Sequence, residues 1–450
     1  MNKKVFVVLS LVISLSILLS ACTQPAAAPT AAPAPTEAKP EATVAVVKPS
    51  EAPAAEPAKK TEPVTVTFWH AYNADVEAKF LDEILIPEFE KQNPDIKIES
   101  VLVPYDQFRR KLLIALNGGS APDLARLDII WVPELADQGA LVNLDEGMKD
   151  FAAYSQQFLE GPLSTNLYNG KHYGLPLDTN TRVLVWNKDM FKAAGIEAAP
   201  KTMEEFSADC EKIKALGPDR YCFADGGTYA WAVNPWIWSF GGDVTDKEVS
   251  KASGVYNGPE TVAAYQFLKD GLDKGYIHPG ITGGGVDAWG GFGKDQIAMV
   301  LEGPWFPPMF GGQFKDKQYG MALMPAGKGG SISVVGGEDI AMFQQSQNKE
   351  AAEKFMKYLL SEEVQMKLVS VGQMPVLKSA AENEAIKNHP FFGIFLEQLK
   401  TAKARTPHPA WNKIEEIMTN TGAEILAGKV EVQKGLDEAV AKIDPLMVIK

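Results

Sequence analysis

The sequence predicts an α/β protein of two lobes, with mixed sheets flanked by helices and a ligand cleft between the lobes. Along most of the chain, strand-like apolar runs alternate with patterns of helical period, which is typical of a parallel or mixed sheet. Near the middle, the extended polar stretch 172–188 crosses from one half of the chain to the other. The length of 450 residues is enough for two or three domains with sizeable cores.

The crossing stretch carries the first candidate ligand-binding residues. Pro176 disfavours a helix, and Asp178, Asn180 and Arg182 alternate with threonines, so their side chains face the same way in an extended chain. The apolar run 183–185 that follows fits a buried strand. A polar row beside a buried strand indicates a cleft between two lobes, and the alternative is an ordinary surface loop.

The first half of the chain reads as alternating strands and helices. Trp69 and His70 follow the first strand, at the carboxyl end where ligands bind in open α/β sheets. Pro87 is expected to kink the first helix. The predicted strands are 64–68 and 96–103, and the predicted helices are 75–92, 105–117 and 133–138.

After the crossing, the second half of the chain begins with a helix. Thr202 and Glu205 form a capping box at its N-terminus. Trp236 and Trp238, in the tryptophan-rich stretch 230–240, are predicted to be core residues. The remaining expected elements are helix 260–274, glycine-rich loop 283–293, strand 297–300, a second crossing at 325–330, a strand, turn and strand at 334–342, and helices 350–360, 362–371, 391–428 and 430–443.

The N-terminus reads as an export signal, because lysines at positions 3 and 4 precede an apolar run from Val5 to Leu19. The run is shorter than the ~20 residues of a spanning helix. It ends in Leu19-Ser20-Ala21-Cys22, which resembles the bacterial lipoprotein box. Residues 1–21 are therefore predicted to be a signal peptide and Cys22 a lipidated, membrane-anchoring N-terminus; the alternative is an uncleaved anchor with an incidental cysteine.

The segment 22–63 is predicted to be a tether. Residues 23–63 contain nine Pro and thirteen Ala and no aromatic residue, so this segment cannot bury a core. As a semi-extended proline-rich spacer it reaches at most ~130 Å at about 3.1 Å per residue. This composition is typical of a linker that holds a folded body away from a membrane.

Composition and motifs exclude several functions. A net charge of −13 without a long basic run argues against a nucleic-acid partner. The five histidines have no ligand spacing, so neither a metal nor another cofactor is expected. The glycine-rich stretch does not end in a phosphate-loop lysine. Cys210 and Cys222 would form a disulfide in an oxidising compartment, or remain two buried thiols.

Residues 64–450 resemble the bacterial extracellular solute-binding proteins of family 1, the carbohydrate receptors of ABC importers, which include maltose- and maltodextrin-binding proteins. The order and spacing of several short motifs carry the resemblance. They lie at 67–70 (TFWH), 89–96 (FEKQNPDI), 119–124 (GSAPDL), 173–176 (YGLP), 186–188 (WNK), 299–305 (MVLEGPW) and 351–356 (AAEKFM).

The resemblance implies a type II periplasmic-binding-protein fold in which crossing strands join the lobes. The implied N-terminal lobe is 64–177 plus 327–374, and the C-terminal lobe is 178–326 plus 375–450. It further implies a monomeric, non-catalytic receptor that delivers a sugar to ABC permease subunits outside the cytoplasm. The alternatives are a same-fold receptor for a non-sugar solute and an exported polysaccharide-degrading enzyme. Such an enzyme needs two carboxylates at a set separation, a distance that a sequence does not give.

The resemblance also implies a set of ligand-binding residues. Carboxylates and amides bind sugar hydroxyls, and flat aromatic rings cover sugar faces. An acidic and aromatic wall, opposed only by Arg182, favours a neutral ligand. The structural alternatives are a core residue for Trp69, a cap of the following turn for Asp123 and a solvated turn for Glu338 and Asp339. The expected residues are Trp69, His70, Asp123, Glu338 and Asp339 on the first lobe, Asp178 and Asn180 at the hinge, and the stacking residues Trp231 and Trp305.

Overall fold

The computed structural model describes residues 62–448, so the predicted signal peptide, Cys22 and nearly all of the tether lie outside the described residues. Strands alternate with helices along this part of the chain, as predicted. The strands are β1 (Val64–His70), β2 (Ile96–Leu102), β3 (Leu124–Asp128), β4 (Leu167–Tyr168), β5 (Lys171–His172), β6 (Leu175–Thr181), β7 (Val183–Asn187), β8 (Tyr221–Ala224), β9 (Ile297–Glu302), β10 (Tyr319–Ala322), β11 (Val334–Met342) and β12 (Lys403–Ala404).

Helices flank these strands throughout residues 62–448. They are α1 (Glu77–Phe80), α2 (Ile86–Gln92), α3 (Tyr105–Asn117), α4 (Val132–Asp137), α5 (Leu144–Gly147), α6 (Phe151–Tyr154), α7 (Glu160–Ser164), α8 (Lys188–Ala193), α9 (Met203–Lys214), α10 (Ala230–Ser239), α11 (Pro259–Asp273), α12 (Ala288–Gly293), α13 (Phe306–Gln313), α14 (Lys349–Leu359), α15 (Glu362–Leu368), α16 (Lys378–Glu382), α17 (Glu384–Lys387), α18 (Phe392–Leu399), α19 (Trp411–Leu426) and α20 (Val432–Ile443).

The first sheet is mixed. Strands β2, β1 and β3 are parallel, β11 runs antiparallel to β3, and β6 runs antiparallel to β11, while the short β12 pairs with the start of β11. The register places Glu338 of β11 opposite both Asp128 of β3 and Asp178 of β6. Three carboxylates therefore form a row across one end of this sheet.

The second sheet has the order β10, β7, β9 and β8, and only β8 and β9 are parallel. Arg182 is the single residue between β6 of the first sheet and β7 of the second. The chain therefore leaves the first sheet at Arg182, because β6 stays paired with β11 as far as Thr181. The predicted lobe boundary lies a few residues earlier, between residues 177 and 178. Strand β12 also joins the first sheet, although residues 375–450 are predicted in the second lobe.

Several local predictions differ from the structure. A π-helical turn at Leu81–Leu85 precedes Pro87, which stands in the first turn of α2, where a proline is tolerated. Stretch 334–342 is one strand, not two strands around a turn, and its pairing register with β6 shifts between Glu338 and Asp339 because Leu177 of β6 has no partner there. Part of the predicted loop 283–293 is helix α12, capped by the Asp287 side chain. The predicted helix 391–428 is interrupted by β12.

The second lobe has a buried aromatic core. The Trp236 side chain is 1% exposed and packs edge-on against Phe206 and Phe223, which agrees with its prediction as a core residue; Trp238 is equally buried. Cys210 of α9 and Cys222 of β8 form a disulfide, the first of the two alternatives left open by the sequence.

Candidate ligand-binding cleft

A cavity of 420 Å³, here called the first compartment, lies where the first sheet, α10 and the segment before α19 meet. Its volume is within the range of about 300–1,000 Å³ typical of small-molecule sites. It combines aromatic rings, carboxylates, one amide, one guanidinium and bare glycine backbone. Its lining residues are Tyr105, Asp128, Asn180, Tyr229, Trp231, Trp305, Gly336, Gly337, Glu338, Arg405 and Glu415.

Asp128 ends β3 and organises one wall of the first compartment. Its Oδ2 accepts a hydrogen bond of 2.6 Å from the Tyr105 hydroxyl, and its Oδ1 accepts one of 2.9 Å from Arg405 Nη2. Burial, reinforced by the Asp128 charge, raises the pKa of Tyr105 well above its ordinary value. The phenol therefore stays protonated and keeps donating to Asp128.

Beneath the first compartment, Arg126 holds two carboxylates. Its Nη2 lies 3.0 Å from Asp178 Oδ2 and 2.8 Å from Glu338 Oε2, and its guanidinium lies 4.3 Å from the centre of the Tyr72 ring. One cation faces two acids that the sheet register places side by side. Burial raises the pKa of Glu338 well above its ordinary value, while the Arg126 charge opposes that rise. Arg126 thus fixes the acidic floor of the cleft.

Two tryptophans form the aromatic wall. The ring centres of Trp231 and Trp305 lie 6.3 Å apart with planes inclined by 30°. The Trp305 Nε1–H donates to Glu302 Oε2 at 3.1 Å, which sets the orientation of its ring. A Cβ at Gly336 would lie 2.5 Å from the Trp231 ring, so only glycine lets β11 approach this closely. The wall thus depends on contact between the lobes.

The structure brings four of the predicted ligand-binding residues to the first compartment: Asn180, Trp231, Trp305 and Glu338. Asn180 Oδ1 is buried and has no hydrogen-bond partner among residues 62–448, so it is available to a ligand. Asp178 lies directly behind the floor, in contact with Arg126. Its role is to hold Arg126 beneath Glu338.

Two other predicted residues, at the end of the first strand, pack against neighbouring side chains, Trp69 half-buried and His70 buried. The Trp69 ring meets Phe108 edge-on at 6.3 Å and does not line the first compartment. His70 is fully buried, and its Nε2 lies 2.9 Å from Ser100 Oγ. Burial, with a smaller effect of the Arg126 charge, lowers the pKa of His70 to about 3, so the ring is neutral.

Two predicted carboxylates are also directed away from the first compartment. Asp123 precedes β3, at the opposite end of that strand from Asp128, and accepts hydrogen bonds from the Thr67 backbone at 2.9 Å and the Ser346 hydroxyl. Asp123 therefore connects β1 to the loop that contains Ser346. Asp339 is fully buried and accepts a hydrogen bond from the Thr165 hydroxyl at 3.1 Å. Burial raises the pKa of Asp339 to about 8.

Besides Gly336 and Gly337, sequence reasoning missed five lining residues with polar side chains, Tyr105, Asp128, Tyr229, Arg405 and Glu415. Asp128 ends a buried strand, so the rule that ligands bind at carboxyl ends of strands could have found it. Tyr105 follows β2 in the same way. Arg405 and Glu415 carry no local signal, because only the tertiary fold brings them to a site formed by residues far away in the sequence.

Among residues 62–448, no group of three or more histidine, cysteine, aspartate or glutamate side chains is arranged to hold a metal ion. Within the same range, no helix combines the length and the apolar character needed to cross a bilayer.

Comparison with known proteins places this architecture in a family. The model of the bacterial extracellular solute-binding proteins matches residues 74–366. A relative from Brucella abortus (strain 2308), named only as a binding protein, is 31% identical over 369 residues, covering 80% of this chain and 88% of its own. The maltotriose-binding protein of Pyrococcus abyssi (strain GE5 / Orsay) is 25% identical over 344 residues, covering 72% of this chain and 69% of its own.

A solved structure shows the same fold. The GacH receptor of Streptomyces glaucescens GLA.O, whose crystal structures are unliganded or in complex with acarbose and an acarbose homologue, matches with a TM-score of 0.78 and 25% identity. The match covers 86% of this chain and 99% of that receptor. The predicted type II periplasmic-binding-protein fold is confirmed, and an extracytoplasmic location follows from the family. Because the family model matches residues 74–366, the chain belongs to the bacterial extracellular solute-binding proteins.

Proposed function

We propose that this protein is the sugar receptor of an ABC importer, binding a neutral sugar or oligosaccharide in the cleft and delivering it to the permease. The observation that carries the proposal is the composition of the first compartment, where two tryptophans face carboxylates, an amide and a guanidinium. Hydroxyl groups and apolar ring faces are the two surfaces that a sugar offers, and this wall is complementary to both.

Each group in the first compartment has a role in this proposal. Glu338, Glu415 and Asn180 accept hydrogen bonds from ligand hydroxyls, and Arg405 donates to ligand oxygens. Trp231 and Trp305 cover the sugar faces. Arg405 is paired with Asp128, and Arg126 with Asp178 and Glu338, so neither arginine is free to balance an anionic ligand. This pairing favours a neutral ligand over an anionic one.

A receptor of this kind binds without turnover. Its relatives are binding proteins, so we propose the same for this chain, in preference to an exported polysaccharide-degrading enzyme. Prolonged incubation with a sugar that binds, followed by chromatography, tests this point. Shorter sugar products would contradict the receptor proposal and would indicate an exported enzyme.

The N-terminal sequence supports a membrane anchor for this receptor. We propose that Cys22 is the lipidated first residue of the mature protein, that residues 22–63 form a tether, and that the folded body acts as a monomer. Mass spectrometry of protein extracted from membranes tests the anchor. A mature chain that begins elsewhere, or an unmodified Cys22, would contradict it.

The first experiment is a thermal-shift screen of the purified protein against mono- and oligosaccharides, followed by calorimetric titration of those that stabilise it. A ligand that binds only the folded state raises its stability by RT ln(1 + [L]/Kd). We expect at least one neutral sugar to raise the melting temperature. Stabilisation by a charged or non-sugar solute alone would point to a different solute for the same fold.

A further inference from the structure

The backbone of one buried glycine supports the loop that carries Trp305. Gly372 follows α15 and the short 3₁₀ helix Val369–Val371, whereas Trp305 lies between β9 of the second sheet and α13. A Cβ on Gly372 would lie 2.9 Å from the Pro304 carbonyl oxygen and 3.0 Å from Trp305 Cα. Both are backbone atoms, so no change of rotamer would move them aside. The loop approaches this closely because position 372 has no side chain.

The conformation of Gly372 also favours glycine. Its φ of +90° lies in the left-handed region, which a residue with a Cβ adopts only with strain. Its N–H donates to the Val369 carbonyl at 3.1 Å and ends the 3₁₀ helix. The backbone turn and the contact with the Trp305 loop thus depend on the same residue.

The residues after Gly372 are fixed to elements of the first lobe. The Met374 carbonyl accepts a hydrogen bond of 3.2 Å from the Thr179 N–H of β6. The Gln373 side chain donates to the Glu77 carboxylate, which is buried at the start of α1. Gly372 therefore presents a fixed backbone surface to the loop that rests on it.

A displacement of this loop would move the Trp305 ring in the first compartment. An ordinary contact with a Cβ is 3.4 Å or longer, so a side chain at position 372 would push the Pro304 oxygen outward from 2.9 Å. The Trp305 ring is held by its 3.1 Å hydrogen bond to Glu302 and lies 6.3 Å from the Trp231 ring. Hydrogen bonds weaken steeply when their geometry is distorted, so both relations would be disturbed.

We infer that Gly372 is a positioning residue of the binding site, through which the first lobe sets the place of the Trp305 ring. This inference deepens the proposed function and rests on it for the ligand that Trp305 contacts. Gly372 does not itself line the first compartment. Its effect on ligand binding therefore passes through Trp305.

Near-ultraviolet circular dichroism of the purified protein tests the placement without a ligand, because this signal reports the fixed packing of aromatic side chains. The difference between the spectra of the wild type and Trp305→Ala gives the contribution of Trp305. Gly372→Ala should lose most of this contribution. Equal spectra for Gly372→Ala and its matched control, Gly283→Ala, would overturn the inference.

Gly283 matches Gly372 in backbone geometry but not in contacts. It is exposed and also ends a 3₁₀ helix, with φ +103°, yet a Cβ there would meet no atom within 4 Å. Gly283→Ala therefore introduces similar strain without displacing the Trp305 loop. Melting curves report folding of both variants. If Gly372→Ala does not fold, Gly372→Asn and Gly283→Asn take their places, because asparagine tolerates the left-handed region better than alanine.

Calorimetric titration with oligosaccharides of glucose, galactose and arabinose measures the consequence for binding. Gly372→Ala should weaken binding of the recognised sugar by about tenfold, less than the roughly thirtyfold expected for Trp305→Ala. In a Trp305→Ala background it should have no further effect, because the two changes act through the same ring. Additive losses would overturn the inference and leave the proposed function intact. Failure of every sugar would overturn the proposed function, and the spectra would still decide whether Gly372 positions Trp305.

Discussion

Trp305 provides the sharpest test of the binding site, because its side chain lines the cleft and is only half-buried. Trp305→Ala removes a stacking face 6.3 Å from Trp231 and the hydrogen bond to Glu302. Losing an aromatic anchor in a desolvated site costs at least ~2 kcal/mol of binding free energy, or roughly thirtyfold in Kd. Glu302 keeps its bond from Trp289, so its carboxylate is not left without a partner.

Trp236→Ala is the matched core control. This residue is also a tryptophan of the second lobe, but it is 1% exposed, lies among Phe206, Phe223 and Phe267, and does not line the first compartment. Truncating a buried aromatic typically costs about 3–5 kcal/mol of folding free energy. We therefore expect Trp236→Ala to lower the melting temperature strongly, and Trp305→Ala to lower it much less.

The assay is calorimetric titration of both variants with a sugar that stabilises the wild type, alongside their melting curves. Trp305→Phe, which keeps an aromatic face and loses the indole N–H, should fall between the wild type and Trp305→Ala in affinity. Normal binding by Trp305→Ala, combined with loss of binding but normal stability in Trp236→Ala, would refute this placement of the site.

Three further predictions concern stability. Burial raises the pKa of Asp339 to about 8, so the contribution of this one carboxyl to stability is fully present below the ordinary aspartate pKa and is lost as the pH rises through 8. Asp339→Asn should therefore gain stability relative to the wild type across this window, by at most ~1.4 kcal/mol per pH unit, in melts from pH 4 to 8; a constant difference would contradict the shift. Arg126→Met should cost about 3–5 kcal/mol, measured by denaturant unfolding at pH 7, because Asp178 and Glu338 lose their cation, and a loss below 1 kcal/mol would refute that pairing. Reduction of the Cys210–Cys222 disulfide should lower the free energy of unfolding by up to about 3 kcal/mol, and free-thiol labelling of unreduced, denatured protein should find neither cysteine reactive.

Local patterns in the sequence determine much of the fold and part of the site. The alternation of periods predicts the strands and helices, and the polar stretch 178–182 identifies where the chain passes from the first sheet to the second. Both signals are local, because a two-residue period and a short apolar run are properties of adjacent residues. Capping at Thr202 is equally local: its hydroxyl accepts a hydrogen bond from the Glu205 backbone. The candidates Trp231 and Trp305 came from the family resemblance, which reflects motif order along the whole chain.

The tertiary structure alone decides which polar residues face the cleft. Glu338 and Asp339 are neighbours in sequence, yet Glu338 lines the first compartment and Asp339 is buried away from it, because side chains alternate along β11. The register that places Asp128, Glu338 and Asp178 in one row is set by pairing between strands more than 150 residues apart. Arg405 reaches Asp128 only because the chain returns to the first sheet after α18. Strand register and long-range return of the chain depend on the packing of the whole fold, which no local pattern encodes.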